Sequence, residues 1–475
     1  MSTDATTASA TSARMWKAYP EYADCGMSWA RRIPASWESI KLKYLVNFLG
    51  GGTPSKDNIT YWTGDIPWVS PKDMKSAAIE DSEDHISPAG ISNSSTQLVG
   101  PGAVLLVVRS GILKHSIPVA VNAKPVALNQ DMKALVPKGR VLANYLAYLI
   151  RGNQNALLVE WRKAGATVES IEYDLLANAR FPLPPIPEQL AIVQFLDRQT
   201  AKIDTLIANR ERLIELLEEK RAALISRAVT KGLDPSVPMK DSCLRWLGQI
   251  PNNWSECRLT FITSFITSGS RDWAEHYSDE GACFLRIGNL TRNSLNFDFS
   301  DIKHVVPPRN AEAKRSRVTP NDVLLSITAY IGSVGVAPSD IGEAYVNQHI
   351  ALIRPNVNKL WPRWLGYSLL SSVGHAQLHI LLYGGTKDGL GLDDVGNLVI
   401  PVPSVDEQAR IVSYVDLQME KTDRLVATIA QEIDRLKEYR TALISAAVTG
   451  KIDVREPRAE AGRLHVASTA STVEP

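Results

Sequence analysis

The chain has 475 residues, 44% hydrophobic and 22% charged, an ordinary globular balance with room for about three domains. With 52 Lys and Arg against 51 Asp and Glu the net charge is +1, so bulk charge gives no sign of a nucleic-acid partner, and any such reading must rest on where charges sit. The N-terminal stretch MSTDATTASATSARMW has no apolar core and no apolar run reaches membrane-spanning length; neither a signal peptide nor a membrane helix is expected, and the expected location is cytoplasmic. Cys25, Cys243, Cys257 and Cys283 form no Cys-x-x-Cys pair and read as free thiols in a reducing compartment rather than a metal site.

In chain order, residues 1–21 read as a polar, disordered tail. The stretch YADCGMSWARRIPASWESIKL follows, with Trp29, Ile33, Pro34 and Trp37. Packing that fixes how the chain enters the next domain is its simplest role. Gly50-Gly51-Gly52-Thr53-Pro54-Ser55 is a tight loop without the Gly-Lys-[Ser/Thr] ending of a phosphate-binding loop. Strands are expected at residues 66–70, 103–108 and 118–121, with residues 128–131 turning into another. Residues 144–162 read as one helix. Pro182, Pro184, Pro185 and Pro187 then suit the edge of a helix but not its interior. Glu188 falls in the first turn, where the helix dipole favours an acid. Ile192, Leu196, Ile203, Leu206, Leu213, Leu217, Leu224 and Ala228 recur at heptad spacing. Gly232 and Pro235 end the helix, which from Glu188 to Thr230 is roughly 65 Å long at about 1.5 Å per residue.

The plan then recurs. Asp241, Trp246, Ile250, Pro251 and Trp254 echo the lead-in. Trp68-Val69 and Asp73-Met74 are echoed by Phe284-Leu285 and Asn289-Leu290, Asn129-Gln130 by Asn347-Gln348, and Gly165-Ala166-Thr167 by Gly384-Gly385-Thr386. A second long helix matches the first at one constant offset, without a gap: Glu188-Gln189 with Glu407-Gln408, Asp197 with Asp416, Lys202 with Lys421, Asp204 with Asp423 and Arg221 with Arg440. Its apolar stripe is Ile411, Val415, Leu425, Ile429, Ile433, Leu436 and Leu443, and Gly450 ends it. Such a repeat decides the fold before any other reading. The expected class is α+β: two tandem-duplicated α/β domains, residues 22–181 and 233–400, separated by two long helices, residues 182–232 and 401–452, that pair as an antiparallel coiled coil. Residues 453–475 read as a second disordered tail.

The helix openings PLPPIPEQ and PVPSVDEQ, each after a domain entered through Ile-Pro-x-x-Trp, together with LLVVRSGILKH, LLSITAYIGSVG and GGTKDGLGLDD, resemble the specificity subunit of Type I restriction-modification systems. No one of these motifs is diagnostic; their order over residues 22–451 is. The resemblance implies that each globular unit is a target-recognition domain reading one half of a bipartite, asymmetric double-stranded DNA sequence. It implies that the helices set the spacer and dock two methyltransferase (modification) subunits, joined by restriction/translocase subunits in the full complex. S-adenosylmethionine belongs to the partner methyltransferase, and this chain binds no cofactor and is non-catalytic. In keeping with that, the sequence has no Asn/Asp-Pro-Pro-aromatic stretch, no Gly-Lys-[Ser/Thr] and no cluster at metal-ligand spacing.

Affinity for DNA should come from Lys and Arg on phosphates and specificity from side chains on base edges. Positions that match between halves should hold the shared fold, and loop positions that differ should encode two half-sites. On that logic the candidates in the first domain are Lys56, Ser70, Lys72, Arg109, Ser110, Lys114 and His115. Those in the second are Arg271, Arg286, Asn289, Arg292, Thr328, Tyr330 and Lys387. Asn129-Gln130 and Asn347-Gln348 occur in both halves and so rank as structural. Two other readings stand beside this one: a single-chain restriction or methylation enzyme, which the missing motifs oppose, and a coiled-coil adaptor that binds only proteins. The target bases and the spacer length are not readable from the sequence.

Overall fold

The structure, a computed structural model, describes residues 16–455 except 164, 166, 245–246, 270–272 and 384–388. Most of both expected tails, Trp246, the Gly384-Gly385-Thr386 echo, Arg271 and Lys387 lie outside the described residues. The chain forms two compact units, one of residues 1–208 with 432–475 and one of residues 209–431. Each long helix, Ile186–Lys231 and Val405–Val448, therefore gives its first half to one unit and its second half to the other.

The first unit holds a five-stranded sheet in the order Val46–Gly50, Met132–Pro137, Val104–Val107, Val119–Asn122, Ala78–Ile79. It is antiparallel except for the last pair. The apolar run at 104–107 is central because all four side chains are fully buried. A smaller sheet sets Ile66–Val69 parallel to Ala127–Leu128. The second unit repeats both. Thr263–Ser268, Ile350–Pro355, Val323–Ser326 and Val334–Val336 form an antiparallel sheet, and Ala282–Leu285 runs parallel to Ala344–Val346.

Where the sequence suggested one helix over 144–162, the structure has two, Ala143–Gly152 and Gln154–Trp161. The second long helix explains the break. A Cβ on Gly152 would lie 2.7 Å from Ile444 Cγ2 and 2.8 Å from Ser445 N, and the Ser445 hydroxyl donates to Asn153 Oδ1 at 2.7 Å. The proline-rich helix opening also contains a strand that periodicity does not reveal. Arg180–Leu183 pairs antiparallel with Glu38–Lys41, and Val399–Val402 pairs likewise with Ser255–Arg258. A two-stranded ribbon consists only of edges, where a proline such as Pro182 costs no ladder bond.

Within each unit the first half of one long helix meets the second half of the other. Arg440 Nε is 3.3 Å from Asp204 Oδ1 in the first unit, and Arg221 pairs with Asp423 in the second. These are one residue pair seen twice, since Arg221 corresponds to Arg440 and Asp204 to Asp423. Antiparallel pairing of the two helices follows. Their seam departs from the strict heptad stripe. Ile192, Leu196, Ile203 and Ala228 are buried as expected, but Leu206 is 42% exposed, and Ile207 and Ile225 face inward. Leu425, the counterpart of Leu206, is 45% exposed. An untwisted helix has 3.6 residues per turn, so a 3.5 repeat drifts off the seam.

The helix starts are anchored identically. Gln189 is fully buried; its Oε1 accepts from Leu142 N at 2.8 Å, and its Nε2 donates to Arg140 O and Pro184 O at 3.0 and 2.8 Å. Gln408 accepts from Trp361 N at 2.7 Å and donates to Lys359 O and Pro403 O at 3.0 and 2.9 Å. About two turns on, the Tyr148 hydroxyl donates to Asp197 at 2.6 Å and that of Tyr367 to Asp416 at 2.5 Å. The lead-in tryptophans pack as expected, but on the far end of a helix. Trp37 lies under Gly450, and Trp254 under Gly232, each glycine at φ +71°. At that angle a Cβ would be strained; at Gly450 it would also overlap Pro34 Cδ, and at both positions it would lie 3.2 Å from the indole ring.

Burial, then the bond to Asp197, raises the Tyr148 hydroxyl pKa to about 12. The folded state thus holds a proton that the unfolded chain releases near the usual value of about 10. This contribution is fully present below pH ~10 and is lost as pH rises toward ~12. Tyr148→Phe should therefore flatten the fall in stability across that window, read by urea unfolding at a series of pH values. Equal slopes in both proteins would show that Tyr148 is not the group responsible.

Candidate nucleic-acid interface

In each unit three segments meet at one backbone node. In the first, Val108 N donates to Asp131 O at 2.8 Å and Ile171 N to Val108 O at 2.8 Å, with Arg109 bridged to Ser170. In the second, Ile327 N donates to His349 O at 3.0 Å and Leu390 N to Ile327 O at 2.9 Å, with Thr328 bridged to Gly389. Beside each node sits the Asn-Gln turn. Asn129 Oδ1 accepts from Asp131 N at 3.0 Å and Asn347 Oδ1 from His349 N at 3.2 Å. Both asparagines serve the turn, as their presence in both halves suggested. The glycine loop presses on the same turns. A Cβ on Gly51 would overlap the Asn129 carbonyl, and one on Gly269 the Val346 and Asn347 carbonyls. Gly51 thus allows backbone to approach backbone, a role that needs no phosphate.

The side chains on the node differ. Arg109, 53% exposed, sets Nε 2.5 Å from Asp131 Oδ1. At the same place Thr328 Oγ1 is 2.8 Å from His349 Nδ1, and His349 Nε2 is 3.0 Å from Gln348 Nε2. Downstream of Arg109, the Ser110 hydroxyl accepts from Ile112 N and caps the short 3-10 turn Gly111–Lys114. Lys114 and His115 are exposed at its end.

A second pair of matching turns carries Ser70 and Arg286, each the N-cap of a 3-10 turn. Asp73 accepts from Ser70 N at 2.8 Å and Asn289 from Arg286 N at 2.9 Å. Two candidates are spent there. Ser70 is 6% exposed with its hydroxyl on Asp73, and Asn289 is 2% exposed with its amide on Asp298 O and Asp301 O. They hold the turn rather than face outward: the Ser70 hydroxyl donates to the Asp73 carboxylate, and Asn289 reaches back to accept from Arg286 N. Arg286 pairs with Asp301 at 3.0 Å, and Lys72 with Asp84 at 2.9 Å and Glu83 at 3.3 Å. Lys56 is exposed in the glycine loop.

Arg292 and Tyr330, 38 positions apart in sequence, are brought together. The guanidinium carbon stands 4.0 Å from the ring centroid, and Tyr330 is 61% exposed after the strained Ala329, φ +50°. They line a pocket of about 320 Å³ with Ser333, His375 and His379. Burial and the neighbouring His379 lower the His375 pKa. Sequence reasoning missed Asp131 and His349. Their signal was there: they follow the duplicated Asn-Gln and differ in charge between halves. Among the described residues no group of His, Cys, Asp or Glu is placed to hold a metal ion, and no helix is long and apolar enough to cross a membrane.

A duplicated scaffold with one set of paired loops per unit and different side chains on equivalent positions is the architecture of a two-part reader. The family described as Type I restriction modification DNA specificity domain matches residues 34–216 and 269–435, and the chain belongs to that family of specificity subunits. The MjaIX specificity subunit of Methanocaldococcus jannaschii is 30% identical over 450 residues, 90% of this chain and 95% of the relative. The EcoR124I/EcoR124II specificity subunit of Escherichia coli is 36% identical over 205 residues, 43% of this chain and half of the relative's length. A chain solved in work on complex assembly and conformational transition of the type I R-M system aligns with a TM-score of 0.63 at 20% identity, over 88% of this chain and 99% of that one. That likeness is one of fold.

Proposed function

We propose that the chain is the DNA-reading subunit of a type I restriction-modification complex, each unit recognising one half of a bipartite, asymmetric duplex target. One observation carries the two-part reading: the two backbone bonds that join three segments at the node recur in both units, while the side chains on it change from Arg109 and Asp131 to Thr328 and His349. A common scaffold with different donors and acceptors suits two half-sites of different sequence. The near-neutral net charge of +1 limits what this chain can bind alone, since phosphate contacts dominate affinity. Two methyltransferase subunits supply the remaining hold on DNA, with S-adenosylmethionine bound in them, and restriction/translocase subunits complete the endonuclease. The paired helices act as spacer and dock for these partners. The chain itself takes no catalytic part, binds no cofactor and works in the cytoplasm.

The test is the adenine-methylation pattern of host DNA by single-molecule sequencing, with and without the chain. One bipartite motif should vanish on deletion. Exchanging one recognition domain for that of a relative should change one half of the motif only. A pattern indifferent to the chain in cells that contain the partner subunits would remove DNA reading as its role.

A further inference from the structure

We infer that the side-chain pair standing on each node is a specificity determinant, and that the Arg109–Asp131 pair reads a guanine in the first half-site. The inference rests on the DNA-reading role proposed above and adds to it which residues discriminate, and for which base.

The strands at the node are joined by backbone bonds, and two of these recur in both units whichever side chains are present: Val108 N to Asp131 O and Ile171 N to Val108 O in the first, Ile327 N to His349 O and Leu390 N to Ile327 O in the second. The Asn-Gln turn that supports it is also the same. An ion pair in one unit and a hydroxyl–imidazole pair in the other are therefore interchangeable as far as the scaffold is concerned. What differs is what they offer outward. Arg109 is 53% exposed while Asp131 is 23% exposed. The carboxylate takes Nε, at 2.5 Å, and both terminal nitrogens are left to donate. A guanidinium held at Nε by an acceptor presents its two terminal donors as a fork, and the fork matches guanine O6 and N7 in the major groove. Asp131 is then a positioning residue: it touches no base and fixes the plane of the fork.

Thr328 and His349 cannot present a fork. The hydroxyl has one proton and each ring nitrogen offers a single site, so neither side chain carries two parallel N–H donors; the two are joined at 2.8 Å, and Gln348 engages the other ring nitrogen at 3.0 Å. The corresponding position of the second half-site is thus not recognised as guanine by the same means. The difference at this one node makes the target asymmetric.

The experiment uses the chain in its complex with the methyltransferase subunits and reads the methylated motif by sequencing, with randomised half-sites as substrate. Arg109→Lys keeps the charge and loses the fork. It should lower the preference for guanine at one position of the first half-site by about tenfold, the size of one bidentate contact, with the second half-site unchanged. Asp131→Asn should weaken the same position and no other. Arg109→Thr with Asp131→His should abolish the preference there, and Thr328→Arg with His349→Asp should install guanine in the second half-site. A motif unaltered by all four variants overturns the inference, as does a uniform loss of methylation without a change of base preference, which marks a phosphate contact or a structural role. If instead the unaltered chain directs no bipartite motif in the assembled complex, the DNA-reading role itself has failed.

Discussion

Gln189→Leu should destabilise the first unit by about 3 kcal/mol or more, and Gln408→Leu the second by a similar amount. The amide of each is fully buried and satisfies three backbone groups. Leucine nearly conserves volume, so the cost is that of leaving one buried C=O and, at the half-buried margin, one N–H and a second C=O unpaired, each up to about 1–3 kcal/mol. The three groups belong to the turn before a domain helix and to the proline-rich entry to a long helix. Loss of the amide therefore frees the long helix from its domain. Urea unfolding followed by tryptophan fluorescence gives the measurement. Glu407→Ala beside it serves as control: its carboxylate accepts from Asn253 at 3.5 Å on an exposed site, and the change should cost less than ~1 kcal/mol. Equal effects of Gln408→Leu and Glu407→Ala would mean that the amide network does not anchor the helix.

Gly51→Ala should cost about 3 kcal/mol and disable recognition by the first unit, with Gly269→Ala as its counterpart in the second. The added Cβ would overlap main-chain carbonyls, Asn129 for Gly51 and Val346 with Asn347 for Gly269. Backbone cannot rotate away as a flexible side chain can, so the overlap moves the strand or the turn, an overpacking cost of about 1–3 kcal/mol or more. The turn that must move carries Asp131 or His349, so base preference in that half should be lost along with stability. Gly50→Ala, one residue earlier, meets nothing within 4 Å and should be neutral. Thermal unfolding and motif sequencing of the three variants read both effects. A Gly51→Ala protein as stable as Gly50→Ala would mean that the loop stands farther from the turn than its backbone shows.

Both predictions concern residues that the sequence displayed without explaining. Glu-Gln at each helix start was the most evident duplicated motif, and its function is a buried amide clamp, visible only once Leu142 and Trp361 are in place. The triple glycine read as a tight loop without a phosphate-binding ending, and Gly51 in it packs against the turn at Asn129. Of the outward candidates, Arg109, Lys114, His115, Arg292 and Tyr330 lie on exposed turns, whereas Ser70 and Asn289 cap their own turns. Cap residues and readout residues have the same polar chemistry, and only burial tells them apart.

The sequence by itself determined the duplication, the two long helices with their proline openings and glycine ends, the apolar strands at 104–107 and 323–326, and the family. These depend on local propensity and on comparison of the chain with itself, and neither needs a third dimension. The tertiary structure decided the rest. It broke the helix at Gly152 because another helix arrives there, and it turned Leu206 and Leu425 outward because the helical repeat drifts from the heptad. It closed Trp37 and Trp254 on the ends of the long helices, and it set Asp131 and His349 beside Arg109 and Thr328. Each of these depends on contacts between separate segments of the chain. The free energy of such contacts depends on packing that periodicity cannot encode, because a pattern of apolar residues states which face of an element is buried and not what buries it.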